Sequence, residues 1–162
     1  MPNRRKTSSR RNLYTRRKLA VIIANENYDR PENKLEKSVA HAQQLGDLLR
    51  TMSFNVMVAT KIKYGSDIMR KVQELDDICT IEDGDLILFY FSGHGYQLEG
   101  KNYLIPTDDS RLCEEKDVKD IGIDAAQILG RLREKRPNCA IIFILDCCRP
   151  YALKKPTSGD RK

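Results

Sequence analysis

At 162 residues, with 40% hydrophobic side chains, the chain has enough material for one domain with its own core and too little for two of ordinary size. No apolar run approaches the roughly 20 residues of a membrane-spanning helix, so a soluble chain with no membrane partner is expected. The formal net charge of +6 is concentrated at the start, where Arg4, Arg5, Lys6, Arg10, Arg11, Arg16, Arg17 and Lys18 all precede the first acidic residue, Glu26. That leader reads as a solvated, disordered arm, with nuclear localisation, an anionic surface or a mitochondrial presequence as the alternatives. Tyr14 is its only aromatic residue, so base stacking has little support and nucleic acid is not the expected partner.

Residues 18–24 (KLAVIIA) are a nearly continuous apolar run and predict a central parallel strand, followed by the polar, turn-prone stretch 25–33. Over 35–52, Leu35, Val39, Ala42, Leu45, Leu48, Leu49 and Met52 recur at helical spacing and predict a helix that lays this face on the sheet. A short strand is expected over 54–59. A second amphipathic helix follows over 66–78, with Ser66 as N-cap and Ile68, Met69, Val72, Leu75 and Ile78 on one side. The Asp83-Gly84 turn leads to a third strand over 86–91, which delivers Ser92, Gly93, His94 and Gly95 just past its end. A small hairpin around 103–106 comes next. The charged stretch 108–120 reads as a loop, either flexible or a processing region. Asp124 caps a third helix that runs to Lys135 with Ile128, Leu129 and Leu132, residues 139–145 form a fourth strand, and the chain from Pro150 onward reads as loop. Tyr90, Phe91 and Ile144 are assigned to the core. Alternating strands and helices with apolar strands imply an α/β fold with a parallel sheet covered on both faces, and a site beyond the C-terminal strand ends.

Two segments carry chemistry. Residues 86–95 read LILFYFSGHG and residues 141–151 read IIFILDCCRPY. Each apolar run breaks off in a reactive side chain, His94 in one and the thiols Cys147 and Cys148 in the other. A histidine and a cysteine at neighbouring strand ends are the parts of a thiol nucleophile and its general base, assembled in space rather than in sequence. A histidine that only orients a loop, and cysteines that are small core residues, are the bland alternatives. Gly93 and Gly95 let the backbone turn and clear space around the imidazole. Asp146 before the cysteines and Arg149-Pro150 after them carry at least one thiol to a charged rim, where positive charge favours the thiolate and backbone N–H groups can stabilise an oxyanion. Cys79, Cys113, Cys139, Cys147 and Cys148 show no disulfide-scaffold spacing and are odd in number, which suits a reducing intracellular compartment. There is no C-x-x-C, so neither a metal nor a cofactor is implied.

On these residues the chain resembles the caspase-like cysteine peptidases, the clan of caspases, paracaspases and metacaspases. The resemblance runs over residues 18–151 and includes VIIANENY in the first strand, LLRTMSFNV at the end of the first helix, and FYFSGHGYQLEGKNYLIPTDDS. H-G-Y, Y-L-I-P-T-D and D-C-C-R make the paracaspases the nearest subfamily. The resemblance implies a caspase-like three-layer sandwich with a mostly parallel central sheet. It also implies His94 as general base and Cys148 as nucleophile, because the family's D-x-C motif places the reactive thiol two residues after the aspartate, with Cys147 facing inward. The N–H groups of Gly95 and Cys148 would form the oxyanion hole, and Asp146 would line the pocket for a basic residue before the scissile bond. The reaction implied is cofactor-free endopeptidase cleavage of a protein or peptide after Arg or Lys through an acyl-enzyme, in the cytoplasm or alternatively the nucleus, with dimerisation on activation.

Two departures stand out. His41 occupies the helix position of a second pocket aspartate, so it is either a substrate-binding residue that weakens the basic preference or makes it pH-dependent, or an ordinary helix-face residue. The family's domain also continues past the catalytic cysteine with a small subunit of further strands and helices. The expected organisation is therefore a basic arm over 1–17, a large-subunit domain over 18–152 that reads as truncated after the cysteine strand, and a flexible tail over 153–162. A second chain or small-subunit half would complete the open sheet edge. The competing expectation is an inactive caspase-like adaptor that binds partners through that edge and the arm.

Overall fold

The computed structural model describes residues 16–78, 81–134, 136, 138–148 and 153, with the backbone alone at 76–78 and 148. In chain order the elements are β1 (Lys18–Ala24), a 3-10 turn (Pro31–Asn33), α1 (Ser38–Thr51), β2 (Phe54–Thr60) and α2 (Gly65–Ile78). They continue with β3 (Leu86–Leu98), β4 (Lys101–Leu104), α3 (Glu115–Ile121), β5 (Ile123–Asp124), α4 (Ala125–Glu134) and β6 (Ala140–Cys148). β1 pairs in parallel with β2 on one edge and with β3 on the other, which explains why it is apolar on both faces and buried from Leu19 onward. The second edge of β3 is taken by β6, also parallel, from Leu86 opposite Ala140 to His94 opposite Cys148. Past His94, β3 continues into an antiparallel pairing with β4, and β4 pairs with β5.

The two faces of the sheet are covered by different helices. Ala20, Ile22, Ala24 and Leu88 pack with Ala42 and Leu49 of α1. On the opposite face Leu19, Val21, Ile23, Ile87, Phe89 and Phe91 pack with Ile68, Val72 and Leu75 of α2 and with Ile128 and Leu132 of α4. Phe89 stacks on Phe143 of β6, ring centroids 4.8 Å apart. The α/β three-layer sandwich with a mostly parallel sheet is the architecture expected from the alternation of elements.

Several local expectations are corrected, each for a physical reason. α1 starts at Ser38 rather than at 35 because Lys37 is left-handed (φ 71°), which no helix continues through. The Glu26 carboxylate, from the loop after β1, then accepts the Val39 N–H in the first turn. Leu48 and Met52, assigned to the sheet-facing side, are exposed at 58% and 51%. α2 begins one residue before Ser66, and Asp67 rather than Ser66 accepts a backbone N–H there, that of Tyr64. The charged stretch 108–120 contains α3, which is fixed by a capping box between Glu114 and Asp117 and by the buried Val118. β3 does not end at 91, since β4 supplies it with a new hydrogen-bonding partner. Asp124 does cap α4, accepting the Ala126 N–H at 2.9 Å. Of the three residues assigned to the core, Phe91 is fully buried, Tyr90 is half-buried and Ile144 is exposed at 40%.

The two faces of the β3–β6 pair therefore differ in what they contribute to stability. Phe89→Ala, which empties the site of a buried ring, should cost about 3–5 kcal/mol, whereas Ile144→Ser on the uncovered face should stay within about 0.5 kcal/mol. Urea-unfolding midpoints of the two variants check this.

Candidate active site

His94 sits where β3 exchanges parallel for antiparallel neighbours. Its Cα is the register partner of Cys148, the last residue of β6, and the Ile105 N–H donates to its carbonyl at 3.0 Å as β4 ends. Glycines flank it because there is no room for side chains. A Cβ at Gly93 would lie 2.8 Å from the Tyr28 hydroxyl and 2.9 Å from the Phe91 ring, and one at Gly95 would lie 2.9 Å from Cys147 Sγ.

The imidazole is held from two sides. Its Nε2 lies 2.7 Å from the backbone carbonyl of Asn33 in the 3-10 turn. A carbonyl only accepts, so Nε2 carries the proton and Nδ1 is the lone-pair nitrogen of the neutral ring. The Tyr28 ring packs against the imidazole, centroids 4.5 Å apart, while its hydroxyl accepts the His94 N–H at 2.7 Å and donates to the Ile105 carbonyl at 3.3 Å. Burial keeps the Tyr28 phenol well above its ordinary pKa, opposed by the His94 N–H and reinforced by the charge of Asp109, so it remains an O–H. The loop that supplies these groups is anchored by Asn25, which is fully buried. Its side chain takes the Ile62 N–H at 2.9 Å and reaches the Ile62 and Ile105 carbonyls.

On β6, Cys147 is half-buried against the core that α2 and α4 cover, facing inward as expected. The thiol of Cys148, with Arg149 and Pro150, lies outside the described atoms. Asp146 is exposed and its Oδ2 accepts the Tyr90 hydroxyl at 2.6 Å. Burial, then this hydrogen bond and the carboxylate charge, push the Tyr90 phenol up to about 12. His41 is exposed on α1, and no hydrogen bond or ion pair joins it to Asp146 among the described residues. Register thus brings His94, Gly95, Asp146 and Cys148 to one end of the β3–β6 pair, while His41 stands on a separate element. Cavities of about 260 Å³ between α2 and the loop before α4, and of about 340 Å³ beside Arg136 and Cys139, are lined by neither His94 nor Asp146. Chemistry rather than cavity volume singles out the strand ends. Tyr28, Asn33, Tyr90 and Asp109 were not read as site residues from the sequence. The polar run immediately after β1 was the available signal for the first two.

The caspase domain family matches residues 17–162. The chain is also similar to "Mucosa-associated lymphoid tissue lymphoma translocation protein 1" of Homo sapiens, 28% identical over 133 residues, and to its Mus musculus homolog, 27% identical over 134. Each alignment covers 82% of this chain, which spans about 15% of the length of either relative. With the family match extending over nearly the whole chain and the α/β sandwich in agreement, the chain belongs to the caspase domain family, as a paracaspase-related member of that cysteine-peptidase clan.

Proposed function

We propose that this chain carries the catalytic dyad of a cysteine endopeptidase that cleaves polypeptides after Arg or Lys. The observation that supports this most is the β3–β6 register, in which His94 and Cys148 are direct Cα partners. Nδ1 of His94 takes the thiol proton of Cys148, and the sulfur attacks the scissile carbonyl carbon. The N–H groups of Gly95 and Cys148 stabilise the oxyanion that forms. Collapse of the tetrahedral adduct breaks the C–N bond as the imidazolium returns its proton to the leaving amine. Water, deprotonated by the same imidazole, then hydrolyses the thioester. Asp146, oriented by the Tyr90 hydroxyl, pairs with the basic side chain before the scissile bond. His41, which occupies the α1 position of the family's second pocket aspartate, bears on that preference, and a peptide panel that keeps its Arg preference in His41→Ala would assign it to the helix surface instead.

A second reading, an interaction module completed by another chain or a small-subunit half, is favoured by one observation. Ile142 and Ile144 of β6 are 42% and 40% exposed, and no described strand pairs with the outer edge of β6. It accounts for that surface but leaves the carbonyl on His94 Nε2 without a purpose.

Fluorogenic peptides ending in Arg, Lys or Asp, assayed with and without Ca2+, separate the two. Cys148→Ala and His94→Ala should each lower kcat by on the order of 10³ or more, while Cys147→Ala retains most of the activity. Asp146→Asn should lower kcat/KM for Arg peptides by roughly 10- to 100-fold and leave slow, non-basic peptides unaffected. Folded protein that cleaves none of the peptides under any of these conditions would favour the interaction module.

A further inference from the structure

The loop between β4 and α3 holds a carboxylate that is fully buried, that of Asp109. Burying such a group is costly unless its oxygens are used. Here both are. Oδ1 accepts the Arg30 N–H at 2.9 Å, and Oδ2 accepts the Asn33 side-chain N–H at 2.6 Å. These donors bracket the 3-10 turn, which closes on itself through Asn33 N–H to the Arg30 carbonyl at 3.0 Å. The carbonyl of that same Asn33 is the acceptor for His94 Nε2. One carboxylate, 76 residues away in sequence, therefore grips the residue whose peptide plane the imidazole reads.

We infer that Asp109 is a positioning residue for His94, acting through Asn33 to fix the orientation and tautomer of the imidazole. This rests on the peptidase reading above. A carboxylate suits the task because it accepts and never donates, so it can hold two N–H groups of the turn while leaving the Asn33 carbonyl to the imidazole. If the turn rotates, the Nε2 proton loses its acceptor. The other tautomer then becomes accessible, with Nδ1 protonated and unable to take the thiol proton. A wrong tautomer at a catalytic histidine is worth up to about 10⁴ in kcat. The turn and the loop are also stitched by Asp29 N–H to the Thr107 carbonyl at 2.9 Å and by the Arg30 guanidinium to the Ser110 carbonyl at 3.1 Å. Those ties hold the two segments together when the carboxylate is removed, so the role of Asp109 is separable from folding.

The test combines turnover with a tautomer measurement. In Asp109→Ala and in Asn33→Ala, which keeps the backbone carbonyl and removes the tie to Asp109, kcat should fall roughly 10- to 100-fold with KM nearly unchanged. The double variant should be no worse than the more severe single one. In parallel, the ¹⁵N imidazole shifts of His94 in a Cys148→Ala background should report Nε2–H alone, and a mixture of tautomers once Asp109 or Asn33 is replaced. Unchanged kcat and an unchanged tautomer in folded Asp109→Ala overturn the inference, as do additive losses in the double variant. Should Asp109→Ala fail to fold, Asn33→Ala decides by the same criteria. If the unsubstituted protein cleaves no peptide while the tautomer still responds to Asp109, the peptidase reading fails and the hold of Asp109 on His94 stands.

Discussion

Strand β3 has both edges engaged along its first seven residues, by β1 on one side and β6 on the other, and the candidate site follows from how it leaves that arrangement. At residue 95 it takes β4 as an antiparallel partner. The handover places His94 at the last rung shared with β6 and at the first turn of backbone exposed beyond the parallel sheet. The Tyr28 hydroxyl and Phe91 ring crowd Gly93 and the Cys147 side chain crowds Gly95, which leaves space for glycine alone on either side of the imidazole. The loop after β1 must then come over the top of the strand, because β1 is the adjacent strand and ends level with Ser92. Its Tyr28 and Asn33 reach the imidazole for that reason rather than through any special affinity of their own.

The parts legible in the sequence were those set by hydrophobic periodicity. β1 was read to the residue because a central parallel strand is apolar on both faces, and α2 and α4 were placed within a residue or two because their buried stripes are regular. The handover in β3 was not legible. S-G-H-G looks like a break, and only a partner supplied from residues 101–104 turns it into more strand. α3 was hidden in the same way, since seven residues with one buried side chain carry almost no periodic signal and its capping box uses Glu and Asp rather than the usual Ser or Thr. The pairing of His94 with the second cysteine follows from family resemblance, whereas the groups that hold the imidazole are the Asn33 backbone carbonyl and the Tyr28 ring, with no motif to announce them.

Period-two alternation also explains the division of labour on β6. Leu145 and Cys147 point into the core beneath α4, while Ile142, Ile144 and Asp146 share the other face with Tyr90. Tyr90 bridges two environments, its ring packed against the cluster under α1 and its hydroxyl on the Asp146 carboxylate. The ring gives the acidic group a rigid support at the rim of the sheet, which a flexible side chain on solvent would not provide.

The contacts that hold His94 in place span 61 and 66 residues of chain, and those of Asp109 span 76 and 79. Such long loops must close before any of these bonds forms, and the β1–β3 pairing closes a similar interval of chain, so the site assembles together with the central sheet rather than locally. The reverse holds for opening. β6 is paired on one edge only among the described residues, and its release would part the imidazole from the cysteine strand while the rest of the sheet stayed intact. The proposed dyad is thereby tied to an edge pairing of the sheet, and a partly melted molecule would keep its core while the two halves of that dyad stood apart.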